Sequence, residues 1–94
     1  MDARLTKSGK VKLSLEEYEY IEIQEKLLEI ERAGLTSYKP QERLLYLLSI
    51  EILEKFSSVK PKDAITLTKA QALALCLITG NSMYQYKLYA LALT

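Results

Sequence analysis

Side chains able to do acid, base or nucleophilic chemistry are few in this 94-residue chain, and their spacing does not favour it. Histidine is absent, which removes histidine triads, histidine metal sites and the common proton shuttle at neutral pH. Cys76 is the only cysteine, so neither an intrachain disulfide nor a thiolate metal cluster can form. Its neighbours Leu75 and Leu77 predict a buried, inert thiol and a reducing compartment. The three glycines stand at positions 9, 34 and 80, a spacing that makes no phosphate-binding loop. Carboxylates are paired at Glu16 and Glu17 and at Glu22 and Glu25. These pairs read as an open helix face, where nothing raises a carboxyl pKa for acid catalysis. The expectation is a non-enzymatic protein with no catalytic site, no metal and no cofactor.

Composition narrows the class further. A chain this short makes one domain with one thin core. The net charge of +1 lacks the basic excess of a nucleic-acid wrapper and the acidic excess of a disordered tail. The 49% hydrophobic content, with only three Gly and two Pro, predicts an ordered fold. The first dozen residues alternate charge with small side chains and do not resemble a secretory signal. The longest apolar run covers residues 72–78, far short of the ~20 a bilayer span requires. A protein that is not secreted and meets no membrane is expected, in the cytoplasm or within an intracellular particle.

Start and stop signals place four helices, at about 15–33, 40–56, 69–79 and 82–93. Ser14 and Glu17 have capping-box spacing, with Leu13 and Tyr18 at the staple positions, and Gly34 supplies a left-handed stop. Pro40 suits a first helical position. Thr68 with Gln71 and Ser82 with Gln85 repeat the capping box, and Gly80 separates the last two helices. Residues 57–65 form the longest connection. Before the first helix, Leu5, Val11 and Leu13 are spaced among Arg4, Lys7, Lys10 and Lys12, with Ser8-Gly9 as a possible tight turn. The fold expected is therefore all-α: a small four-helix domain over 14–94, with residues 1–13 as an N-terminal extended arm or short β-hairpin.

The helix faces carry the functional reading. On helix 1, Tyr20, Ile23, Leu27 and Ile30 share one apolar stripe. The rest carries seven Glu against Lys26 and Arg32, with Glu22 and Lys26 spaced as an i, i+4 pair. That acidic surface is ordinarily solvated; its sharper use would be to dock the basic arm of a neighbouring copy, since residues 1–13 carry a net +3. Helix 2 is apolar nearly all round, leaving Ser49, Glu51, Glu54 and Lys55 as a polar strip, and helix 3 reads as a buried spine.

Residues 64–94 hold Lys69 and Lys87 as their only charges, more apolar surface than one short domain readily hides. Helix 4 adds Tyr84, Tyr86 and Tyr89, a residue type enriched at protein interfaces. The candidate interface is Met83, Tyr84, Tyr86, Tyr89, Leu91 and Leu93, with Leu5 and Val11 from the arm. The function expected is a structural or interaction subunit that assembles with protein partners, as a homo-oligomer or within a larger particle such as a virion, where it would be an accessory or decoration protein. The alternative is a small helix-turn-helix DNA-binding regulator, from the spacing of helix 3, Gly80 and helix 4. Its recognition helix would offer one Lys, one Gln and no Arg, so nucleic acid is the disfavoured partner.

Overall fold

A computed structural model describes residues 1–79 and 82–94, with the side chains of 82–85 outside that description. Among the described residues the elements run β1 (Asp2–Leu5), β2 (Val11–Ser14), α1 (Glu17–Ala33), α2 (Pro40–Ser57), β3 (Ile65–Leu67), α3 (Lys69–Thr79) and α4 (Ser82–Ala92). The strands form one antiparallel sheet in the order β1-β2-β3. The all-α expectation is therefore corrected to a mixed α/β domain of four helices and a three-stranded sheet. The residues responsible are Ile65, Thr66 and Leu67, which alternate buried, exposed, buried. Three residues are too few for that alternation to separate a strand from a loop by pattern alone.

The hairpin closes through Thr6 and Lys10. The Thr6 amide donates to the Lys10 carbonyl at 2.8 Å, and the Lys10 amide donates to the Thr6 hydroxyl at 3.0 Å. Gly9 has φ 81°, the left-handed region where glycine costs least. β2 pairs on both sides, with Leu13 opposite Ala3 and Ile65 and Val11 opposite Leu5 and Leu67. Val11 and Leu13 are fully buried, so residues 1–13 are not an appendage but one wall of the core.

Strand pairing also shifts the start of α1. Ser14 is the last residue of β2, paired with Asp2, and cannot cap a helix. Glu16 caps instead, its amide donating to the Glu19 carboxylate at 2.9 Å, so the helix opens two residues later than its sequence signal. Glu19 is 1% exposed and also lies 2.9 Å from the Met1 amino group, joining the start of β1 to the first turn of α1. At the other end the Gly34 amide donates to the carbonyls of Ile30 and Glu31, closing α1 where expected.

α1 buries Tyr20, Ile23 and Leu27 of its expected stripe against Ile52, Leu53 and Phe56 of α2, with Ile30 half-buried. Tyr20 and Phe56 stack with centroids 5.2 Å apart, and the Tyr20 hydroxyl donates to the Phe56 carbonyl in the last turn of α2. α2 is less central than its apolar circumference suggests, because Leu44 and Leu47 remain exposed in its first half. Ser49, expected on the polar strip, is instead fully buried, its hydroxyl satisfied by the Leu45 carbonyl at 2.7 Å. α3 buries Ala72, Ala74, Leu75 and Cys76, but Leu77 points outward at 71% exposure. Burial pushes the Cys76 thiol above its ordinary pKa, which keeps it protonated near neutrality.

The junction of α2, β3 and α3 is tied by polar groups. Thr68 and Gln71 form the expected capping box, the Gln71 amide donating to the Thr68 hydroxyl at 3.1 Å and the Thr68 amide to Gln71 Oε1 at 3.0 Å. Lys55 reaches across from α2 and donates to the same Gln71 oxygen at 2.9 Å and to the Thr66 carbonyl at 2.7 Å.

Leu13→Ala separates a wall from an appendage. It should lower unfolding free energy by about 2–5 kcal/mol in urea titration. A change below about 0.5 kcal/mol, usual for surface positions, would mean that the strand contributes no core.

Candidate interaction surface

α4 lies on α3 and reaches across the sheet to β1 and β2. Leu88 is fully buried and Ala92 nearly so, while Leu91 is half-buried against the core. Lys87 flanks that contact, 3.8 Å from the Asp2 carboxylate and 3.4 Å from the Met1 carbonyl, which its ammonium approaches as donor. Lys69 donates to the Thr94 carbonyl, holding the end that follows α4 against the start of α3. The helix is thus fixed by its Leu88 side, and its opposite side faces solvent.

That opposite side carries Tyr86, Tyr89, Ala90 and Leu93, whose spacings of three, one and three place them on one helical stripe. Tyr86 is 83% exposed, Tyr89 55% and Leu93 62%. The stripe is uncharged and spans about 10 Å at 1.5 Å per residue. Three of the eight residues expected at an interface therefore share one open surface. Met83 and Tyr84 fall outside the described side chains. Leu5 and Leu91 are half-buried and pack against the chain's own core, and Val11 is wholly inside it. The sequence pattern grouped Val11 with the basic residues around it, and only its pairing with both Leu5 and Leu67 shows that it points inward.

Exposed apolar residues missed by that reading are Leu44 and Leu47 on α2, Leu77 on α3, and Tyr18 and Ile21 on α1. For Leu44, Leu47 and Leu77 the signal is ambiguous because core and surface positions there are equally apolar, whereas Tyr18 and Ile21 lie off the apolar stripe of α1 among glutamates. Tyr38, 91% exposed between α1 and α2, stands 5.8 Å from the Arg43 guanidinium in a cation–π arrangement.

At the Lys55 junction a shallow depression is lined by Glu51, Glu54, Lys55, Ser58 and Gln71. Burial, then the nearby Lys10 ammonium, holds the Lys55 pKa below the usual lysine value, with Glu51 opposing. A lysine so perturbed could serve as a nucleophile, but this one already donates to Thr66 and Gln71, which explains its placement structurally. Among the described residues no cluster of three or more His, Cys, Asp or Glu is arranged to hold a metal ion, and no helix is long and apolar enough to cross a membrane. No family model, curated protein or solved structure matches the chain.

The two sides of α4 should respond differently to truncation. Leu88→Ala should cost about 2–5 kcal/mol of unfolding free energy. Tyr86→Ala and Tyr89→Ala should each stay within about 0.5 kcal/mol of the parent. Thermal and urea unfolding monitored by far-UV circular dichroism measures all three.

Proposed function

We propose that this protein is a non-enzymatic interaction subunit that binds protein partners through the outward stripe of α4, assembling with copies of itself or into a larger particle. The observation carrying this reading is the exposure of Tyr86 and Tyr89 on α4 and of Leu93 just past its end, opposite the side anchored by Leu88. Tyrosine offers large contact area with few rotatable bonds and a polar tip, so its burial between proteins releases water at modest entropic cost. A decoration or accessory subunit of a virion is one concrete form of such a component.

The DNA-binding alternative would use the same helix as its reader. Outward residues of α4 include one cation, Lys87, and it lies beside Asp2. Phosphate contacts require several cations and base readout requires hydrogen-bonding side chains, so this surface weighs against the regulator.

Light scattering coupled to size exclusion at micromolar concentration should give a mass above the 10.7 kDa of one chain. Tyr86→Asp or Tyr89→Asp should weaken association at least about tenfold, as at an interface hot spot, with helicity unchanged. A parent that stays monomeric would remove the homo-oligomer form. Retention of duplex DNA in a gel shift at low salt would favour the regulator instead.

A further inference from the structure

The outward face of the sheet is cationic. Val11 and Leu13 point inward, so strand alternation turns Lys12 outward, with Arg4 opposite it on β1 and the exposed Thr66 opposite it on β3. Directly opposed side chains in an antiparallel pair stand about 5 Å apart, and like charges so placed destabilise the pairing. Lys10, exposed just before β2, adds a third cation next to this strand, and after burial its charge helps to hold the Lys55 pKa down. Among the described residues Arg4, Lys10 and Lys12 make no ion pair. Lysines on edge strands commonly block unwanted pairing, but Lys12 is on the central strand, which has no edge to guard.

A complementary surface is found on α1. Glu22, Glu25 and Glu29 are exposed at spacings of three and four, about 5–6 Å apart on the side away from the core. The cation expected to offset them is elsewhere: Lys26 donates to the Thr79 carbonyl at 2.8 Å. Among the described residues none of the three carboxylates makes an ion pair. Each chain thus holds a cluster of cations and a stripe of carboxylates, equal in number and opposite in sign, each under internal repulsion.

We propose that the outward sheet face, through Arg4, Lys10 and Lys12, docks on the Glu22, Glu25 and Glu29 stripe of α1 in a second copy of the chain. This rests on the assembly reading above and adds a second, electrostatic contact to it. The two surfaces differ, so the contact is head-to-tail: every copy offers one of each, and the assembly closes as a ring or reciprocal dimer or grows as a filament. A nucleic-acid backbone would meet the same cations but would leave the α1 carboxylates unused, whereas a second copy supplies a partner for both.

Charge exchange on the full chain tests this. One variant carries Glu22→Lys, Glu25→Lys and Glu29→Lys; the other carries Arg4→Glu and Lys12→Glu. Circular dichroism checks that each is folded, and sedimentation velocity measures association. Each variant alone should self-associate at least about tenfold more weakly than the parent, and an equimolar mixture should recover a complex because the reversed faces again match. The parent should also lose association between about 0.05 M and 0.5 M NaCl, a readout that needs no variant to fold. Salt-independent association of the parent, or variants that associate as the parent does, would overturn the proposal. If association is instead lost only in Tyr86→Asp and Tyr89→Asp, the α4 interface stands and this contact fails. Binding of a 20-base-pair duplex by the parent at low salt, abolished by Arg4→Glu with Lys12→Glu, would assign the cations to nucleic acid and also overturn it.

Discussion

The fold depends on β2 being paired on both edges. An isolated two-stranded ribbon is only marginally stable in water, so β1 and β2 need a further surface. β3 supplies a third strand, and the inward row of Val11, Leu13, Ile65 and Leu67 then becomes a continuous apolar wall. All four helices contribute to the core cluster formed with that wall. Without the second edge, the wall would lose Ile65 and Leu67, and β2 would be left with a single paired neighbour.

Polar groups join elements that the apolar core only gathers. Glu19 connects the beginning of β1 to α1, Tyr20 binds a terminal carbonyl of α2, and the side-chain oxygen Oε1 of Gln71 accepts from both the Thr68 amide and the Lys55 ammonium. Each contact satisfies a group whose burial would otherwise cost free energy, and each is directional. The directionality matters in a core built largely from Leu, Ile and Ala, which many packings could fill. Among the described residues no buried side-chain nitrogen or oxygen is left without a hydrogen-bond partner.

Legibility in the sequence followed the length over which a signal repeats. α1 to α3 were readable because apolar periodicity runs through eleven or more residues in each and Gly34, Pro40 and the Thr68 with Gln71 box act as expected, although the Ser14 box falls in β2 and the Gly80 stop lies outside the described residues. The sheet was not readable as a sheet: β3 is three residues long, and its partner lies far away in the chain. Missing it changed the fold class and misplaced both Val11 and the start of α1. At the surface, the Tyr-rich nature of α4 was visible, but the division between Leu88 inside and Tyr86 outside required the helix to be docked. The charge rows on β2 and α1 could be counted from sequence, whereas the withdrawal of Lys26 toward Thr79 could not.

The register that places Val11 opposite Leu67 has a kinetic side. The loop between them contains all of α1 and α2, so closing β2 onto β3 brings together segments more than fifty residues apart. Loop-closure entropy rises only slowly with length, by about 0.6 kcal/mol per doubling, but an uncollapsed chain must meet it before any strand bond repays it. Local contacts between α1 and α2 can form earlier and shorten the effective loop. Packing of α1 on α2 therefore lowers the entropic cost of bringing β3 to β2, which couples formation of the sheet to that of the helical pair.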